Sequence, residues 1–207
     1  MRTLITFLFI TFTFNSTVMA QKKRKYKEIR ITRTSEIIEV SADSLWNIVR
    51  KFENVGVWFS SIDHATGTGE PTFEGATCSE RTCHVAIKGY DKIHEKLTHF
   101  DGAKRELAYE LTEGGPKFLL FAGNHWTVIE AGPGQSKLKM DATMHLKPFM
   151  GFLFGGKIKK TVEKNLPAAL HELKVYAETG EVADSKKERI KKLQKKKRKK
   201  AAFAINT

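Results

Sequence analysis

The sequence predicts an α+β fold: a curved antiparallel β-sheet wrapped around a long C-terminal helix, with two short helices after the first strand. Three observations carry this. Residues 77–147 break into five alternating runs separated by short loops, several of them rich in Gly and Pro. The last run sets Leu138, Met140, Ala142, Met144 and Leu146 against Lys137, Lys139, Asp141, Thr143, His145 and Lys147, the pattern of a sheet covered on one face. Beyond it, Ile158, Val162, Leu166, Leu170 and Leu173 recur at helical spacing over residues 156–179, a helix about 35 Å long and a fitting cover.

Taken in order, residues 1–20 read as a signal peptide. They hold one cation, Arg2, an apolar run from Leu4 to Phe14, and a small-residue end at Ala20. The run is shorter than the roughly 20 apolar residues of a membrane span, so export to the periplasm or medium is expected over an N-terminal anchor. Residues 21–27 form a basic arm. Residues 28–180 form the folded domain, and residues 181–207 a Lys/Arg-rich tail expected to be flexible. The formal charge of +13 sits at the ends: +5 in the arm, +10 between Lys186 and Lys200, and −3 over residues 28–185. A near-neutral body argues against nucleic-acid binding by the fold itself.

Residues 28–40 alternate through Ile29, Ile31, Ile38 and Val40 and read as the first strand. Ser41 is a helix N-cap with Asp43 in the first turn, ahead of Leu45, Ile48, Val49 and Phe52 at helical spacing. Residues 54–62, carrying Trp58 and Phe59, read as a second short helix or lid, followed by a turn-rich segment. The strands then fall at 77–88, 92–100, 104–113, 117–130 and 136–147. Pro167 lies inside the closing helix and Gly180 is its expected stop.

The middle of this array carries a lone inward carboxylate. Ile93, Glu95 and Leu97 share one face of their strand, and Lys92, His94, Lys96 and Thr98 the other. A three-residue loop centred on Tyr90 puts Val85 opposite Glu95 and Cys83 opposite Leu97. A similar loop centred on Gly102 puts Tyr109 opposite Glu95 and Leu107 opposite Leu97. An unpaired buried carboxylate is costly. Three readings stand open: a structural hydrogen bond from the Tyr109 hydroxyl, a polar anchor for a ligand, and a proton-transfer group. Arg81 shares the inward parity, either to pair with a carboxylate or to meet an acidic head group. A five-residue loop from Ala131 to Gln135 turns Asn124, Trp126 and Val128 inward, making Trp126 a cavity wall; a four-residue loop turns His125 and Thr127 inward instead.

Four stretches resemble a known family: VSADSLWNIVRKFENVGVWF, GATCSERTCHV, HEKLTHFD with LAYEL, and LPAALHELKVYAETG. Over about residues 28–180 the chain resembles the START/Bet v 1-like (SRPBCC) superfamily, and within it the polyketide-cyclase/dehydrase-like lipid-binding proteins. The resemblance implies the helix-grip fold, with a hydrophobic cavity between sheet and long helix. Related ligand binders place an inward Glu where Glu95 stands. An exported carrier for an apolar small molecule or lipid is therefore the first expectation. Glu95 and Tyr109 would be its polar anchor, Arg81, Cys83, Leu97, Trp126, Met140 and Met144 its walls, and Trp58 and Phe59 its lid. A cyclase/dehydratase-like enzyme using Glu95 as acid or base is the alternative.

Other chemistry finds little support. HEKLTH, from His94 to His99, is H-E-x-x-x-H on a strand, not the helical H-E-x-x-H of zinc hydrolases, so no metal and no cofactor is expected. No Ser/His/Asp set is visible. Cys83 has no histidine beside it on its face and reads as a core thiol. Cys78 and Cys83, if on one strand, would lie roughly 16 Å apart, beyond disulfide reach; a tight loop over Ser79–Thr82 would bring them together in an exported protein. Phe149, Met150, Phe152, Leu153 and Phe154 either plug the sheet end or form a membrane-touching portal. The tail suits an anionic membrane or another polyanion, and a surface-interaction protein acting through it is a further alternative.

Overall fold

The computed structural model describes residues 25–87 and 90–205; the predicted signal peptide and most of the basic arm lie outside them. Seven antiparallel strands form one sheet in the order β1-β7-β6-β5-β4-β3-β2. They are β1 Lys27–Thr34, β2 Ile62–Thr68, β3 Glu80–Ile87, β4 Tyr90–Asp101, β5 Glu106–Glu113, β6 Leu119–Gly132 and β7 Gln135–Leu146. The helices are α1 Ala42–Val49, α2 Val55–Trp58, α3 Pro148–Thr179 and α4 Asp184–Ile205, with a 3-10 turn at Phe52–Asn54. This is the α+β helix-grip arrangement: a curved sheet, two short helices after β1, and a long closing helix.

Strict alternation along β7 explains the layering. Its inward residues are buried and its outward ones half-buried along the whole strand. Leu166, Ala169, Leu170 and Leu173 of α3 close over that inner face as one core with Trp58, Leu97, Trp126 and Met140. Ser41 caps α1 by accepting from the Ser44 backbone N–H at 3.2 Å. Gly180 stops α3 at a left-handed φ of 73°, with its N–H on Tyr176.

Several expectations need correction. Residues 62–68, expected as the end of a lid plus a turn, form β2. Its only large apolar residue is Ile62, so it is a strand through its ladder with β3 rather than through its own pattern. β1 ends at Thr34, and Ile38 adds only an isolated bridge to Ser136. α3 begins at Pro148, not at residue 156. Its first proline needs no donor there, and the chain runs helical through Pro167. Tyr90 opens β4 instead of centring a loop. Arg81, not Val85, therefore stands opposite Glu95, and Cys83 stands opposite Ile93. On the other side Glu95 pairs with Leu111, and Tyr109 with Leu97. The Asp101 carboxylate accepts from the Ala103 and Lys104 N–H groups, and Arg105 takes φ 55°, so this turn is one residue longer than expected. Along the paired residues flanking Glu95 these slips are even-numbered, so its face stays inward.

The tail, expected to be flexible, is helix α4, and its first turns are docked. Lys186 is 2% exposed and donates to the carbonyls of Ile62 at 2.6 Å and Phe59 at 3.1 Å. Burial lowers its pKa, an effect that Asp63 and Glu172 oppose. Arg189 grips Asp63 through two nitrogens. Among the described residues, no helix is long and apolar enough to cross a membrane.

Candidate functional site

A cavity of about 370 Å³ lies between the sheet and α3. β4 contributes Ile93 and Glu95, β5 Tyr109 and Leu111, β6 Ala122 to Asn124, β7 Ala142 and Met144. Val162 and Leu166 of α3 form the facing wall, and the loop Gly114–Pro116 one end. Gly114 is required there. Its φ is 85°, and a Cβ would meet the Lys92 carbonyl oxygen at 2.2 Å. The walls are overwhelmingly apolar, and their polar groups are few: Glu95, Tyr109 and Asn124. Tyr109 and Asn124 face each other across the β5–β6 ladder.

Glu95 is not free. Arg81, 1% exposed, donates from Nε to Glu95 Oε2 at 2.6 Å and from a terminal nitrogen to the Phe52 carbonyl at 2.6 Å. Its guanidinium lies 3.9 Å from the Phe52 ring centre and 4.5 Å from that of Tyr109. Burial pushes its pKa down, but Glu95 more than offsets this and raises it. The Cys83 thiol donates to the same carboxylate oxygen at 3.5 Å. Burial pushes that thiol up to about 12; Arg81 works against the rise and Glu95 with it. Tyr109 is likewise pushed up, by burial first and the Glu95 charge second. Oε2 is thus held behind the wall, and among the described residues no donor reaches Oε1.

One wall atom is orphaned. Among the described residues, Asn124 Oδ1 is buried with no hydrogen-bond partner, and so is Trp126 Nε1, two residues along the strand. Leaving such a group unsatisfied costs about 1–3 kcal/mol, which a bound donor recovers.

Three of the ten expected site residues, Glu95, Tyr109 and Met144, line this cavity. Arg81 and Cys83 sit behind Glu95. Leu97 and Met140 are core residues, 2% and 1% exposed. Trp126 does turn inward, opposite Met140, but through a two-residue turn and a bulge between Glu130 and Gly132 instead of the five-residue loop expected, and it packs between Tyr109 and Trp58. Trp58 is 2% exposed and belongs to the core; Phe59 packs half-buried against it, so neither is a lid over this cavity. The expected Tyr109–Glu95 hydrogen bond is replaced by Arg81–Glu95. Both cysteines are free and buried. Asn124 was missed as a site residue. Its signal was present, since a polar residue on the inward parity of a long strand demands a partner. The α3 and loop walls left no such signal.

Outside the cavity, His99, Glu106 and His125 converge on the outer sheet face.

The profile of a family described as "Polyketide cyclase / dehydrase and lipid transport" matches residues 28–178. Similar solved structures include a norcoclaurine synthase from Thalictrum flavum, 15% identical, with TM-score 0.57, covering 72% of this chain and 96% of its own. An aromatase/cyclase from a Streptomyces species is 14% identical, with TM-score 0.56, covering 76% and 100%. A START superfamily protein from Mycobacterium smegmatis is 17% identical, with TM-score 0.51, covering 70% and 98%. At these identities the likeness is one of fold. No curated sequence is detectably similar to the chain.

Proposed function

Since the chain belongs to the polyketide cyclase/dehydrase and lipid transport family, we propose that it is an exported carrier for a hydrophobic small molecule or lipid bearing one hydrogen-bond donor. The observation that carries this is a largely apolar cavity whose few polar residues, Glu95, Tyr109 and Asn124, include the unpartnered Asn124 Oδ1. The cavity volume falls within the range of small-molecule pockets. A ligand hydroxyl satisfies Asn124 once that side chain turns its Oδ1 toward the cavity, while the remainder is buried against Ile93, Leu111, Met144 and Leu166. Tyr109 and Glu95 lie on the same inner surface to orient the polar end. Export rests on the signal-peptide pattern of residues 1–20.

The enzyme alternative asks Glu95 to exchange protons. The Arg81–Glu95 pair at 2.6 Å favours a fixed anchor over a proton carrier. The test is native mass spectrometry of protein purified gently from its own host. The expected mass begins at Gln21 and carries a discrete apolar ligand. Asn124→Leu is expected to weaken that ligand at least tenfold, while binding its deoxygenated analogue as well as the parent protein does. An empty protein that takes up no ligand from a lipid extract overturns the carrier reading; a mass beginning at Met1 overturns export.

A further inference from the structure

The outer face of the sheet, on the side away from the cavity, gathers ligand atoms from three strands. His99 of β4, Glu106 of β5 and His125 of β6 hold their donor atoms within 4.8 Å of one another. His99 Nε2 lies 3.1 Å from Glu106 Oε1, and His125 Nε2 lies 3.4 Å from Glu106 Oε2. The geometry points to a divalent transition-metal site here, of the zinc type, with two imidazoles, one carboxylate and a water-filled position.

The fold builds this cluster. Alternation alone would send His94 and His99 to opposite faces, five residues apart. The register shift between Leu97 and His99 resets the strand, turning His99 outward and Phe100 into the core. Ala108 then stands directly between the histidines, paired with His99 on one side and with His125 on the other. Two strand spacings separate the histidine backbones by about 9–10 Å, and the small Ala108 side chain leaves that span open for the rings. Glu106, two residues before Ala108, lies on the same face.

A tetrahedral zinc with bonds of about 2.0–2.2 Å sets its donors roughly 3.3–3.5 Å apart. Two Glu106 contacts are already near that spacing. The rings, 45% and 40% exposed in their side chains, are free to close the third. His125 Nε2 is itself buried without a hydrogen-bond partner, its 3.4 Å approach to Glu106 lacking hydrogen-bond geometry. A metal ion supplies the missing partner. Asp141, beside His125 in the register, is engaged by Thr32 and Lys139, so it does not complete the set. Imidazole with one carboxylate favours zinc, copper or nickel over magnesium or calcium.

The test uses the full chain without an affinity tag, stripped with chelator. Zinc chloride is titrated by calorimetry, and cobalt(II) is added as a spectroscopic probe. One equivalent is expected to bind at about 10 μM or tighter, with a cobalt spectrum lacking thiolate charge-transfer bands. His99→Ala and His125→Ala are each expected to weaken binding at least tenfold while leaving the metal-free melting temperature unchanged. The double variant of His64 and His84 to Ala, a histidine pair elsewhere on the sheet, is expected to bind normally. No binding at 100 μM zinc, binding untouched by the first two variants, or binding lost in the His64/His84 variant overturns the site.

Discussion

Arg81 decides what Glu95 is able to do. A carboxylate between Ile93 and Leu97 looks isolated, yet a guanidinium lying against the adjoining Phe52 and Tyr109 rings neutralises it. Glu95→Gln removes the counter-charge and strands a buried cation. The expected loss is about 3–5 kcal/mol in urea denaturation, with partial recovery when Arg81→Met is added. A loss below about 1 kcal/mol would mean that the pair is not held in solution. Cys83 gives a separate test. Its folded thiol titrates near 12 against an ordinary 9.0, so the unfolded chain sheds its proton first. That group's contribution is complete below about pH 9 and lost as pH rises toward 12, at up to about 1.4 kcal/mol per pH unit. Cys83→Ala is expected to flatten the decline in stability between pH 9 and 11. Cys78 and Tyr109, both pushed up, preserve part of the slope. An unchanged slope would contradict the burial of the thiol.

Among the elements, α3 divides into two parts with different surroundings. Its second half is clamped to the sheet through Leu166, Leu170 and Leu173. Its first two turns expose Phe149 at 71% and Phe152 at 85%, ahead of Lys157, Lys159 and Lys160. Phe154 stacks on Phe118, near the Gly114–Pro116 end of the cavity. Exposed aromatics followed by lysines suit an anionic bilayer surface. Phe149→Glu combined with Phe152→Glu is expected to reduce co-sedimentation with anionic liposomes severalfold without lowering the melting temperature. Binding that persists would assign these rings no membrane role. α4 reaches the domain differently, through a buried ammonium and a bidentate Arg189–Asp63 pair, with its lysines from Lys187 to Lys199 exposed.

At the scale of the whole molecule, the carrier proposal rests on how the parts are combined. The cavity is largely apolar, its polar row is short, and its one carboxylate, Glu95, is held by the buried Arg81. The outer-face histidines lie on the other side of the sheet from the cavity. Zinc binding there and ligand binding inside are therefore expected to be separable by mutation.

Legible in the chain alone were the layer order, the inward face of Ile93, Glu95 and Leu97, the alternation of β7, and the caps at Ser41 and Gly180. Each follows from local periodicity or from a single backbone requirement, both written in consecutive residues. Legible only in the folded chain were the inward turn of Trp126, the meeting of Arg81 and Glu95, the lack of a donor for Asn124, the strand β2, and the convergence of His99, Glu106 and His125. Those depend on register, turn length and bulges. A one-residue change in a turn moves every partner along a ladder, while the alternating pattern that reveals the strand stays the same.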